Sequence, residues 1–227
     1  KGLPVRAGSK KIDGHYFMAP DTYNVRQVDV MGGFTAANGF NLYTARVYPK
    51  DYWDRIAFVN EPTGRVVHRA ILQKDGAGYK EQDGWNLVSS SDEWFEPVLT
   101  AVGPDGEVWV DDLYNFIVQH NPTPIGFENG IGGAYINPLR DHTKGRIYRI
   151  VYKGAPAEKV LSLSKQRPAE LVAALSNSNM FWRLTAQRLL VERANKDVVP
   201  ELITLAKSTK TDELGLNPGA LHALWTL

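Results

Sequence analysis

The sequence predicts a mainly β first part followed by an all-α second part. Three observations carry this. Eighteen of the 20 glycines lie within residues 1–154, and only Gly215 and Gly219 lie beyond. Four of the six tryptophans lie in the same stretch. Short runs with two-residue alternation, separated by Gly, Pro and Asp turns, fill that part, whereas the remainder shows helical spacing of its apolar residues. The junction falls at Gly154-Ala155-Pro156, which neither a strand nor a helix carries comfortably.

Taken in order, residues 39–45 alternate around Phe40, Leu42 and Thr44, and strand-like runs follow at 55–59, 65–72 and 84–89. Runs at 98–102 and 107–111 flank Gly103-Pro104-Asp105-Gly106, and the last run is 145–152. In that turn Pro104 pre-sets φ, Asp105 bonds back to the backbone and Gly106 accepts a positive φ. Short strands at even spacing point to a sandwich, barrel or propeller. In the second part Pro168 opens a helix with Leu171, Val172 and Leu175 on one face. Asn179 caps Met180–Arg193, Asp197 caps a helix through Lys207 with Pro200 in its first turn, and Asn217-Pro218 opens another. Short helices in series suggest a solenoid. The chain stops inside its last helix, so the reading expects a piece of a longer protein.

Composition excludes several functions. With 26 Lys+Arg against 25 Asp+Glu, the charge balance offers no footprint for nucleic acid or an anionic membrane surface. No cysteine is present, which removes disulfides, thiol catalysis, cysteine zinc sites and covalent haem from this chain. No apolar run reaches the length of a membrane span. The five histidines, at 15, 68, 120, 142 and 222, show neither HxH nor HExxH spacing, so no zinc site is expected from them. His68 and Arg69, adjacent in a strand, are read as packing or cross-strand residues.

Several motifs stand in a fixed order: Trp94-Phe95-Glu96-Pro97, then 102–115 (VGPDGEVWVDDLYN), then Gly145-Arg146-Ile147-Tyr148-Arg149-Ile150. Together with Gly33 to Tyr43 upstream and the stretch around Asn179 and Trp182, they resemble a bacterial "membrane-bound dehydrogenase" family found in planctomycetes, verrucomicrobia and bacteroidetes. The resemblance covers roughly residues 20–227. It implies β-propeller blades similar to the glucose and sorbosone dehydrogenases over 1–154, followed by an all-α HEAT-like helical repeat segment over 155–227. It further implies a periplasmic or cell-envelope location, oxidation of a carbohydrate or polyol substrate with pyrroloquinoline quinone and calcium, and haem in a cytochrome c domain outside this chain. The missing blades and that domain, within the same polypeptide, are the other expected partners.

In such propellers the active face is built from loops, which here selects segments 33–38, 60–64, 89–97 and 112–144. His120 is the candidate catalytic base, since a neutral imidazole can take a hydroxyl proton near pH 7. Arg140, whose planar fork suits a quinone carboxylate, and Tyr114 are the candidates for holding the cofactor. Trp94 and Glu61 are the candidates for contacting substrate, with a core position for Trp94 and a solvated turn for Glu61 as the competing readings. Asp111 and Asp112 end a strand and read either as calcium ligands or as a strand-end turn with one Asp capping the next loop. Arg146 alternates with Tyr148 on a strand and is read as structural, with a bidentate pair to a quinone carboxylate as the competing reading. The competing function is a non-catalytic scaffold that binds a glycan or a protein.

Overall fold

The computed structural model describes residues 10–12, 15–17, 36–62, 64–90, 92, 94–115, 126, 128 and 143–227. The chain forms two compact units. One comprises Lys1–Tyr43, Asp54–Ala101 and Val108–Val151, and the other Thr44–Trp53, Val102–Glu107 and Tyr152–Leu227.

The first unit is antiparallel sheet. β1 (Lys10–Ile12) pairs with β2 (His15–Phe17). A five-stranded sheet follows, in the order β3 (Asn38–Leu42), β4 (Ile56–Glu61), β5 (Val66–Asp75) and β6 (Gly78–Asp83), with β7 (Val88–Ser89) pairing onto β5. β8 (Pro97–Val102), β9 (Val108–Asp112) and β10 (Arg146–Ile150) make a three-stranded sheet with β9 in the middle. Ile56, Ala57 and Phe58 of β4 are all buried, so this strand is covered on both faces. The two larger sheets meet at β3, β4 and β8. The Thr100 hydroxyl donates to Asn60 Oδ1 at 2.7 Å, and Asn60 Nδ2 donates to the Gly39 carbonyl at 2.9 Å. Gly39 has φ 56° at a register shift in β3, and a Cβ there would collide with the Val98 carbonyl. Only glycine satisfies both constraints.

The second unit gathers four short helices: α1 (Pro168–Ala174), α2 (Met180–Arg193), α3 (Val199–Ala206) and α4 (Pro218–Thr226). Asn179 and Asn217 cap α2 and α4 through their side-chain oxygens, as their positions in the sequence indicate. α3 starts after Val198, not Asp197, and Asp197 instead pairs with Arg193. Leu171, Leu175, Ala186, Leu190, Leu202 and Ala223 form one core. The Gly103–Gly106 turn belongs to this unit. Asn179 Nδ2 donates to the Gly103 carbonyl and Trp182 Nε1 to the Pro104 carbonyl, both at 2.9 Å.

The expected architecture of propeller blades followed by a HEAT-like repeat is therefore corrected. Among the described residues the chain is mostly antiparallel sheet with only four short helices, and no HEAT-like helical repeat occurs. The physical reason is helix length and packing. α1 has 7 residues and α3 has 8, and the four helices close on one small core instead of stacking as paired repeats. The run expected at 84–89 is also shortened to Val88–Ser89, and Gly78–Asp83, where no run is expected, forms β6. That strand (GYKEQD) is exposed on every residue, so no apolar alternation announces it.

In α4, His222 is buried and its Nδ1 lies 2.7 Å from Gln187 Oε1. Burial, helped by the nearby Arg183 charge, lowers its pKa. A His with a depressed folded pKa stabilises the fold above its unfolded pKa, and that contribution is lost as pH falls further. Thermal unfolding followed between about pH 8 and 5 should show stability falling below about pH 6.5, and His222→Gln should flatten that acid limb.

Candidate functional site

The site grows from one carboxylate at the end of β9. Along β9, Val108, Val110 and Asp112 point to the buried face, while Trp109 and Asp111 point to the other. The Asp112 side chain is fully buried. A buried carboxylate needs donors on both oxygens. Its Oδ1 accepts the backbone N–H of Glu96 at 2.7 Å and of Tyr114 at 2.9 Å, and its Oδ2 accepts Arg146 Nε at 3.0 Å. Arg146 stands directly across from Asp112 in the β9–β10 register, so strand pairing itself presents the guanidinium to the acid.

Arg146 then reaches a second carboxylate, Asp92 Oδ2, at 3.1 Å. Asp92 Oδ1 accepts the Trp94 N–H at 3.0 Å, which shapes the turn that carries Trp94. Tyr114, held at φ 50° beside the Asp112 bond, lays its ring under Arg146, with the guanidinium carbon 3.4 Å from the ring centre. The Trp94 and Tyr114 rings lie 5.7 Å apart and tilted, and Lys144 Nζ stands 6.0 Å from the Trp94 ring. Below them Phe95 is buried and packs edge-on against Tyr148 at 5.8 Å. Burial opposes the charge on Arg146, but the bonds to Asp92 and Asp112 outweigh it and raise the pKa. Burial also pushes up the Tyr148 phenol, against the pull of Arg146. The result is a half-buried aromatic pair framed by a fixed, partly exposed guanidinium and a carboxylate.

The structure brings together three of the residues singled out in the sequence, Trp94, Asp112 and Tyr114, and adds Asp92, Lys144 and Arg146. Asp111 is directed to the opposite face of β9. Calcium takes six to eight oxygens, and a pair whose members face apart, one of them filled by two N–H groups and a guanidinium, does not fit that shell. Glu61 is buried at the end of β4, where its two oxygens accept the N–H of Ala36 at 2.6 Å and of Gly64 at 2.5 Å. It is a loop anchor in this structure. His120 and Arg140 lie outside the described residues, as does most of the 112–144 segment. Of the expected quinone contacts only Tyr114 is among the described residues, and Arg146 lies over one face of its ring. Asp92, which the sequence reading did not single out, carried a weak signal: Ser90-x-Asp92-x-Trp94 is the spacing of successive side-chain-to-backbone turns, seen as Asp92 N–H to Ser90 Oγ at 3.0 Å and Trp94 N–H to Asp92.

Residues 5–154 match the family described as a domain of unknown function (DUF7133). The chain belongs to this family. The match spans about two-thirds of the sequence and includes every residue of the Asp112 site. No curated protein and no solved structure matched the chain. Among the described residues of this DUF7133 protein, no helix is long and apolar enough to cross a membrane.

Arg146→Met removes the partner of a buried carboxylate and should lower stability by about 1–3 kcal/mol, read by denaturant unfolding. Arg146→Lys should recover only part of that loss, because an ammonium cannot span two carboxylates as the planar fork does.

Proposed function

We propose that this chain supplies a carbohydrate- or polyol-contacting surface to a larger, envelope-located protein that oxidises such a substrate. The observation that carries the reading is the half-buried Trp94–Tyr114 pair beside the Arg146–Asp92 ion pair. A sugar ring offers C–H groups on its faces and hydroxyls around its edge. Aromatic rings beside a few fixed polar groups complement both. The ordered motifs through residues 94–97, 102–115 and 145–150, which resemble the dehydrogenase family, support the oxidative part. Because the Asp111–Asp112 pair does not fit calcium and Arg146 occupies one face of Tyr114, the quinone and its metal would be held by residues outside those described.

A second reading is a non-catalytic glycan-binding surface. It is favoured by the fact that Asp112 and Arg146 are spent on each other, which leaves neither placed to move a proton.

The test uses the full-length natural protein, supplied with pyrroloquinoline quinone and calcium and assayed for dye reduction over a panel of sugars and polyols. The proposal expects quinone-dependent turnover, with Trp94→Ala raising KM about tenfold. Saccharide binding that is lost in Trp94→Ala, without any turnover, would establish the second reading. Neither binding nor turnover would overturn both.

A further inference from the structure

On the five-stranded sheet, away from the Asp112 cluster, three side chains with metal-ligating atoms converge. We propose that His68, Glu81 and Asp83 form a binding site for a divalent first-row metal, with Zn2+ the best match to the donor set.

The convergence follows from strand register. Asp75 pairs with Gly78 across the two-residue turn Gly76-Ala77, and this sets Leu72 opposite Glu81 and Ala70 opposite Asp83. Cross-strand partners share a face, and so do residues two apart on one strand. His68, Ala70 and Leu72 of β5 therefore share their face with Glu81 and Asp83 of β6. His68 Nε2 lies 3.7 Å from Glu81 Oε1 and 3.6 Å from Asp83 Oδ1, and the three ligand atoms all fall within 4.8 Å of one another.

Those separations favour a shared metal over direct bonds. They are too long for a hydrogen bond. Zinc holds His nitrogen and carboxylate oxygen at about 2.0–2.2 Å in a tetrahedron, whose edges are then about 3.3–3.6 Å. The imidazole is also aimed. His68 is 6% exposed, whereas the Glu81 and Asp83 side chains are about one-third exposed, at 30% and 33%. Its Nδ1 lies 3.2 Å from Asn86 Oδ1. After β6 the backbone rejoins β5 through Leu87 N–H to the Val67 carbonyl at 2.8 Å, which brings Asn86 alongside His68. In the neutral tautomer whose Nδ1–H donates to Asn86 Oδ1, Nε2 turns its lone pair toward the two carboxylates, as metal binding requires. An outer partner that fixes the tautomer and ring orientation in this way is the usual support of a metal-bound histidine. One imidazole and two carboxylates neutralise the dication and leave a fourth position toward solvent, which suits a bound water or a ligand oxygen.

The test is titration of the chelator-treated full chain with Zn2+ by calorimetry, and with Co2+ by visible absorption. One equivalent of Zn2+ should bind, and Co2+ should give the intense bands of a tetrahedral site. Glu81→Gln and Asp83→Asn should each weaken binding at least about tenfold, and Asn86→Ala by about 10–100-fold. Both carboxylates are partly exposed on an edge strand, so these variants keep the fold, which far-UV circular dichroism checks. No saturable uptake would overturn the proposal and leave His68 as a packing residue beside two carboxylates. Equal uptake by the Glu81→Gln/Asp83→Asn double variant would overturn it too, by placing the metal elsewhere.

Discussion

The Asp112 carboxylate is the interaction on which the candidate site depends. A fully buried carboxylate is tolerated only when its oxygens are supplied with donors, and here each donor comes from a different place. Glu96 N–H draws in the start of β8, Tyr114 N–H turns the chain leaving β9, and Arg146 arrives from β10. One anion therefore fixes three strand ends at once. Arg146, held in that position, has its outer nitrogen directed to Asp92 and its plane over Tyr114. The Trp94 turn is positioned through Asp92, so the aromatic pair depends on a group that never touches it.

This arrangement separates support from contact. Asp112 and the inner edge of Arg146 support; Trp94, Tyr114, Lys144 and the outer edge of Arg146 face outward. Of the two readings of Asp111 and Asp112, the geometry matches the strand-end turn: a strand sends neighbours to opposite faces, and Asp112 accepts the Tyr114 N–H of the next loop. Glu61, buried at the end of β4, is likewise spent on structure, accepting the N–H groups of Ala36 and Gly64.

Much of the local structure was legible in the sequence, because short-range chemistry determines it. Asn179 and Asn217 mark helix starts by the bond their side chains make, and Pro104-Asp105-Gly106 marks a turn by its φ requirements. What the sequence concealed depends on long-range pairing. β6 has no buried residue, so its pattern of Tyr79, Glu81 and Asp83 against Lys80 and Gln82 carries no apolar alternation. His68 is separated from Glu81 and Asp83 by a hairpin, and no fixed motif spacing identifies them; only the register does. Arg146 was rightly placed on a strand, but its opposition to Asp112 required the β9–β10 register as well. The helical repeat does not follow from the sequence, because apolar rows on successive helices look alike whether the helices stack or, as here, close on one core.

The most direct measurement is the crystal structure of the Asp112→Asn variant beside that of the natural chain. The amide keeps one oxygen for the Glu96 and Tyr114 N–H groups but turns a donor toward Arg146 Nε. The account predicts that the β8–β9–β10 ladder survives, that Arg146 leaves the face of Tyr114, and that the 92–96 turn shifts with Trp94. An unchanged Arg146–Tyr114 stack with Trp94 in place would contradict the claim that this carboxylate organises the surface.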